Sequence, residues 1–153
     1  HIMGGQPEYT KRLKSIYQQF SQCSPCQVFY MTPMEASFVK YGINSFLATK
    51  VLWFNQFKDL IDRHDSRYSV VANAVGYDQR IGNGHTKVPG FDGKKGFGGS
   101  CFPKDTAAIA NFASGSLTVL EEVMGANNLY RSQYMLDDRE KEQNISYNST
   151  VSE

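Results

Sequence analysis

Apolar residues recur at threes and fours along three stretches of this chain, and that spacing predicts most of its structure. Over residues 7–20, Tyr9, Leu13, Ile16, Tyr17 and Phe20 alternate with lysines and glutamines, which predicts an amphipathic helix. Gln27-Val28-Phe29-Tyr30-Met31, after the break at Pro25, predicts a short strand. The longest periodic segment opens at Thr32 or Pro33 and runs over 33–64, with Val39, Ile43, Phe46, Leu47, Val51, Phe54, Phe57 and Ile61 on one stripe. It predicts a helix of about 30 residues, roughly 45 Å long. Trp53 and Phe54 widen the stripe, so burial on more than one side is expected. Residues 66–75 fit a short helix capped by Ser69, with a strand through Val70-Val71 as the alternative. Glycines and Pro89 make 82–95 a loop. A helix is expected over 106–112, a break at Ser114-Gly115-Ser116, and then a helix over 117–136 capped by Ser116, with Leu120, Val123, Met124 and Leu129 facing inward. From Asp137 the sequence is almost wholly polar, so 137–153 is expected to be a frayed or disordered tail. The fold class that follows is mainly α.

Composition narrows the function classes. With 153 residues, 41% hydrophobic and 13% aromatic, the chain can bury one respectable core. A formal net charge of +1 gives no general reason to expect nucleic acid or an anionic membrane as partner. No apolar run reaches transmembrane length and no signal peptide is evident, which makes a cytoplasmic location the default expectation. Three cysteines do not suggest a secreted disulfide framework. Cys23-Ser24-Pro25-Cys26 has metal or redox spacing, but a second such pair is missing, and His64 and His85 stand in unrelated surroundings, so no metal is expected. The triplets 144–146 and 148–150 match glycosylation acceptors, which carry little weight without a secretory signal. His1-Ile2-Met3 reads as a cloning remnant. No G-x-G-x-x-G follows a strand, so these residues hold no dinucleotide fingerprint of their own.

The chemistry concentrates in Gly96-Phe97-Gly98-Gly99-Ser100-Cys101-Phe102-Pro103-Lys104-Asp105. Its glycines permit a ligand to lie directly against backbone, and Pro103 suits a first helical turn. Cys101 is thereby placed at a helix N-terminus near Lys104, and both features favour the nucleophilic form of a thiol. A buried, inert cysteine is the alternative. Lys40 and Asn44, four residues apart, share one face of the long helix; spacing alone leaves open a solvated lysine and a surface asparagine.

These ten residues resemble the active-site motif of the UDP-glucose dehydrogenase family, which includes GDP-mannose and UDP-N-acetylmannosamine dehydrogenases. Two more stretches agree in the family's order: Glu35-Ala36-Ser37-Phe38-Val39-Lys40-Tyr41-Gly42-Ile43-Asn44-Ser45-Phe46-Leu47-Ala48-Thr49-Lys50 and Asp78-Gln79-Arg80-Ile81-Gly82. The resemblance runs over about 35–129 and stands nearest the branch that acts on UDP-glucose. It implies a helical central domain over 32–136, like the C-terminal domain of 6-phosphogluconate dehydrogenase, preceded over 4–31 by the last helix and strand of a nucleotide-binding domain. It implies a homodimer built on helix 33–64, and a piece cut or encoded short of its nucleotide-binding and nucleotide-sugar domains, hence without useful turnover alone. The implied reaction oxidises a nucleotide sugar's primary alcohol to a carboxylate with two NAD+, UDP-glucose being the expected substrate. GDP-mannose, an N-acetyl sugar, or a non-catalytic helical dimerisation module are the alternatives. The resemblance assigns Cys101 as nucleophile, and Lys40 and Asn44 as stabilisers of charge on the sugar oxygen. Asp105 falls to water positioning, unless it serves only as a first-turn acid. Arg80, Lys87 and the backbone at Phe97, Gly98 and Gly99 would hold substrate, Arg80 across the dimer, and Lys104 would border the nicotinamide. Residues 88–95 are longer than in many relatives.

Overall fold

The computed structural model describes residues 1–147, so the acceptor triplet at 148–150 lies outside the described residues. The chain divides into two compact units, His1–Ile43 and a second from Asn44 onward, and the division falls inside the longest helix.

The first unit is a strand–helix–strand arrangement. Strands β1 (Ile2–Gly4) and β2 (Phe29–Met31) pair in parallel, Met3 opposite Tyr30, and helix α1 (Pro7–Phe20) provides the crossover that a parallel pair requires. Ile2 and Met3, read in the sequence as a cloning remnant, pair with β2, and Met3 is buried. Helix α1 has the bounds that its periodicity predicts, but Tyr9, Leu13, Ile16, Tyr17 and Phe20 are all exposed. Helix α2 (Pro33–Asp62) opens on a capping box: the Thr32 N–H donates to Glu35 Oε2 at 2.7 Å and the Glu35 N–H to Thr32 Oγ1 at 3.2 Å. That pair fixes Thr32 as the residue before the first turn. Glycine is required at position 4, where a Cβ would come within 2.6 Å of the Ala36 Cβ.

In the second unit α2 is joined by α3 (Tyr68–Tyr77), α4 (Phe102–Ala113), α5 (Thr118–Arg131) and α6 (Asp138–Glu142). Two apolar clusters use two sides of α2, as the widened stripe predicts. Ala48 and Leu52 pack with Phe97, flanked by Val51, Phe102, Val123, Ala126 and Tyr130; Phe54 packs with Ala72 and Val88, flanked by Phe57, Tyr68 and Val75. Phe46 and Trp53, counted on the same stripe, remain 71% and 49% exposed. Residues 66–75 form a helix, but Ser69 does not cap it; α3 starts at Tyr68 behind Arg67. Nor does Ser116 cap α5, because its hydroxyl closes the previous helix by donating to the Ala113 carbonyl at 2.8 Å, and Leu117 takes the cap position. Helix α5 ends at Arg131, five residues before its expected end, and Leu129 on its supposed inner face is exposed.

The largest departure is at 137–147. Instead of a frayed tail there is a short helix with a full capping box, whose Asp137 accepts from the Glu140 N–H at 3.0 Å while Glu140 Oε2 accepts from the Asp137 N–H at 2.9 Å. Glu140 is 0% exposed and Arg131 1%, and their ion pair closes at 2.5 Å. Arg131 Nη1 also donates to Asp92 at 2.7 Å; Glu140 Oε1 further accepts the Tyr147 hydroxyl at 2.8 Å and the Gly99 N–H at 3.1 Å. Polar composition suggests solvation only where charges lack partners, and here each has several.

Breaking such a pair from one side leaves a buried charge, a loss of about 3–5 kcal/mol, whereas replacing both partners with apolar residues costs less. Arg131→Met is therefore expected to lower stability in urea denaturation by about that amount, and the double variant R131M/E140L by clearly less; an equal or greater loss in the double would contradict this account. Burial alone would raise the Glu140 carboxyl, but the Asp137 N–H, the Tyr147 hydroxyl, the Gly99 N–H and Arg131 outweigh it and hold it below the usual carboxylate range. Burial likewise opposes and Arg131 and the Lys94 N–H likewise prevail at Asp92. Both groups thus contribute stability that is complete above about pH 4–5, where the unfolded carboxyls ionise, and that is lost as pH falls through their lowered folded values. Denaturation midpoints should drop steeply below about pH 4, and E140Q should flatten that slope.

Candidate active site

Cys101 stands at the N-cap of α4 and is exposed, so the inert buried alternative is not what the fold adopts. Its carbonyl accepts the Asp105 N–H at 2.8 Å, the first turn of the helix, and Pro103 sits buried within that turn. The Ser100 hydroxyl oxygen lies 3.7 Å from its sulfur. Behind it the glycine loop is held from below by side chains. Asn55 Oδ1 accepts the Gly96 N–H at 3.0 Å, Asn127 both accepts the Phe97 N–H at 2.7 Å and donates to the Phe97 carbonyl at 3.0 Å, and Glu140 takes the Gly99 N–H. Gly96 and Gly99 have φ of 77° and 75°, a region closed to most side chains. At Gly98 a Cβ would run into the Arg131 guanidinium. The loop glycines therefore serve close approach to a polar floor within the protein.

Asp105 points inward and is 1% exposed. Asn44, 61 residues away, donates from Nδ2 to its Oδ2 at 2.5 Å, and the Lys104 amine donates to Oδ1 at 2.8 Å. Three of the residues singled out in the sequence thus meet one helical turn from the thiol. Lys104 gives its amine to this carboxylate, and its side chain also borders a cavity of about 380 Å3 with Pro103, Thr106 and Asn127. Lys40 lies one turn before Asn44 on α2, in the first unit, exposed, with its amine 5.6 Å from the centroid of the Tyr41 ring.

A second group gathers around a groove of about 270 Å3. Lys87, Phe97, Gly98 and Gly99 line it, together with Val51, His85, Phe91, Asp92, Phe102 and Arg139. The Lys87 amine sits 4.8 Å from the Phe91 ring centroid, and His85 and Phe102 have ring centroids 5.7 Å apart. The Phe97 side chain belongs to the core and its backbone N–H and C=O are taken by Asn127, so at that position the loop offers the groove a surface and no open peptide group. Arg80 is not in this group. Asp78 clamps its guanidinium at 3.0 and 2.6 Å, and it borders a different, mostly apolar groove of about 260 Å3 with Phe46, Trp53, Val75 and Ile81. Lys50 ties that region down by donating to the Ile81 and Gly82 carbonyls at 2.7 and 2.9 Å, and burial lowers its pKa.

Sequence reasoning missed Asn55, Asn127, Arg131, Arg139 and Glu140. The spacing of Asp137 and Glu140, an N-cap acid followed by Glu at N3, carries the signature of a helix start, and Asn55 is a polar residue within an apolar stripe. Among the described residues no group of three or more His, Cys, Asp or Glu side chains is placed to hold a metal, and no helix is long and apolar enough to cross a membrane.

Comparison with known proteins identifies the family. The family model described as UDP-glucose/GDP-mannose dehydrogenase family, central domain, matches residues 34–129. UDP-glucose 6-dehydrogenase TuaD of Bacillus subtilis is 39% identical over 99 residues, which is 63% of this chain and 20% of that protein. UDP-glucose 6-dehydrogenase YwqF of the same organism is 36% identical over 120 residues, 75% of this chain and 26% of its own length, and UDP-glucose 6-dehydrogenase of Rickettsia typhi 37% over 94, or 60% and 20%. The chain spans about a fifth to a quarter of the length of these relatives. With the match covering most of the chain, and with the exposed cysteine, the inward aspartate and the glycine loop all inside it, this protein belongs to the UDP-glucose/GDP-mannose dehydrogenase family, of which it carries the central domain.

Proposed function

We propose that the chain supplies the cysteine-bearing part of an NAD-dependent UDP-glucose 6-dehydrogenase, which oxidises C6 of UDP-glucose twice to give UDP-glucuronate. The observation that carries this reading is the exposed Cys101 at the head of α4, one turn from a buried carboxylate held by Asn44 and Lys104. The relatives are UDP-glucose 6-dehydrogenases, which favours that substrate over GDP-mannose or an N-acetyl sugar. A cytoplasmic location goes with this reading.

The chain's residues fit NAD at its reacting end only. The turn from β1 to α1, Gly4-Gly5-Gln6-Pro7, lacks the spacing that cradles a pyrophosphate, whereas Cys101 and Lys104 are presented at the start of α4. When bound, NAD+ accepts a hydride in each oxidation. Lys40 and Asn44 donate hydrogen bonds to the C6 oxygen as charge develops there; the Asn44 amide has two N–H donors, of which Asp105 takes one. The Cys101 thiolate attacks the aldehyde carbon, forming a C–S bond and a thiohemiacetal, so the aldehyde stays attached. Loss of hydride from that carbon, with the hydroxyl proton passing to water, leaves a thioester. Water then adds, the C–S bond breaks, and thiolate and carboxylate separate as two protons pass to solvent. Asp105 orients the water-attacking stage through Asn44 and Lys104, and its place in the first turn also complements the helix dipole. Lys87 holds substrate at the groove that Phe97, Gly98 and Gly99 floor, and Arg80 reaches it from a second copy. The copies pair through helix 33–64, whose Phe46 and Trp53 are exposed beside an apolar groove.

In a full-length enzyme carrying this sequence, Cys101→Ser should lower UDP-glucuronate formation at least about a thousandfold while UDP-glucose still binds. The 153-residue chain alone should yield no NADH from NAD+ and UDP-glucose. Undiminished turnover in C101S would end the cysteine mechanism and leave the dimerisation module as the better reading. For the pairing, sedimentation should find the wild type a dimer and Phe46→Glu a monomer with an unchanged thermal midpoint; a monomeric wild type would overturn it.

A further inference from the structure

We propose that Arg139, on the helix α6 that the sequence disguises as a tail, is the residue that grips the diphosphate of the ligand in the groove beside Cys101. The inference rests on the nucleotide-sugar reading of that groove and goes beyond it by naming the anchor.

Arg139 lines the groove opposite the glycine loop, with Lys87 also on its wall. Its Cζ, Nη1 and Nη2 lie 3.8, 3.8 and 3.9 Å from the point a Cβ on Gly99 would occupy, so the guanidinium plane faces the loop squarely. A side chain on Gly99 would fill that space. Nη2 donates to Asp137 at 2.7 Å, which orients the group, while the side chain is 63% exposed. The pair with Asp137 is a solvent-exposed one of small stabilising value. Helix α6 does not need it, since its capping box is made by Asp137 and Glu140. The next residue, Glu140, is wholly buried, so Arg139 projects from a fixed point.

The charges around the groove suit an anion. Lys87 and Arg139 are cations on its wall, and the one carboxylate lining it, Asp92, is turned to Arg131, which it shares with Glu140. A guanidinium presents paired donors that match phosphate oxygens two at a time, which an amine cannot do. The groove, of about 270 Å3, has room for one part of a larger molecule. A diphosphate is common to the nucleotide sugar and to NAD; the nucleotide sugar is taken as its source because the inference rests on that reading of the groove.

Calorimetric titration of the chain with UDP-glucose, NAD+ and inorganic pyrophosphate tests this. Arg139→Gln should weaken UDP-glucose and pyrophosphate about ten- to a hundredfold. Arg139→Lys should recover part of the loss, and Lys141→Gln, on the same helix but off the groove, should bind as wild type. Should R139Q lower the thermal midpoint, R139K carries the comparison, with a smaller loss expected in the same ligands. Loss confined to NAD+ and pyrophosphate would keep the diphosphate site and assign it to the cofactor. Binding of pyrophosphate alone, dependent on Arg139, would keep the anion site and remove the nucleotide-sugar reading. Equal UDP-glucose affinity in wild type and R139Q would overturn this inference while leaving that reading intact, and binding of none of the three by wild type would overturn it as well.

Discussion

A guanidinium and a carboxylate that water hardly reaches meet beneath the glycine loop, and the rest of the second unit is arranged to satisfy them. Taking both Arg131 and Glu140 out of water costs several kcal/mol for each ion, which their attraction offsets only when the other donors and acceptors find partners. All but the Arg131 Nε find them, in Asp92, Asp137, Tyr147 and the Gly99 N–H. That network ties the end of α5, the loop after α3 and the segment 137–147 into one polar floor. It also dictates sequence at a distance, because Gly98 passes so near the guanidinium that only hydrogen fits there.

The thiol inherits its position from that floor. Glu140 and Asn127 hold Gly99 and Phe97, the Phe97 ring anchors against Ala48 and Leu52, and Cys101 emerges two residues later at the head of α4. From the other direction, α2 delivers Asn44 to Asp105, so the first turn of α4 is bonded from both sides. A group on a loop gains precision when its supports are buried and hydrogen-bonded, and this arrangement achieves it with asparagines and the ion pairs of Arg131. Several candidate residues named in the sequence therefore divide into two sets: Asn44, Lys104 and Asp105 below the thiol, and Lys87 with the loop glycines beside it.

What the sequence revealed and what it hid follow from the range of the forces involved. Helices α1 and α2 were legible because periodicity is local, and α4 because Pro103 and the glycines before it mark a helix start within a few residues. Caps were misread where a serine had a nearer use, as Ser116 does in closing α4. Exposure was misread on α1, on Phe46 and on Leu129, since spacing says which residues share a face and nothing of what covers it. The run Asp137-Asp138-Arg139-Glu140 looked like a solvated tail because its decisive partner, Arg131, lies nine residues earlier and Gly99 forty-one earlier. Ion pairs across such separations leave no periodic trace.

The claim at the centre of this account is that the Glu140 carboxylate holds the loop that presents Cys101. Amide hydrogen exchange at Gly99, followed by NMR in wild type and in E140Q, tests it most directly. Exchange at Gly99 in the wild type should be slow, comparable with that of Asp105 in the first turn of α4, and E140Q should release Gly99 while Asp105 stays protected. Rapid exchange at Gly99 in the wild type, or equal protection in both proteins, would contradict the account.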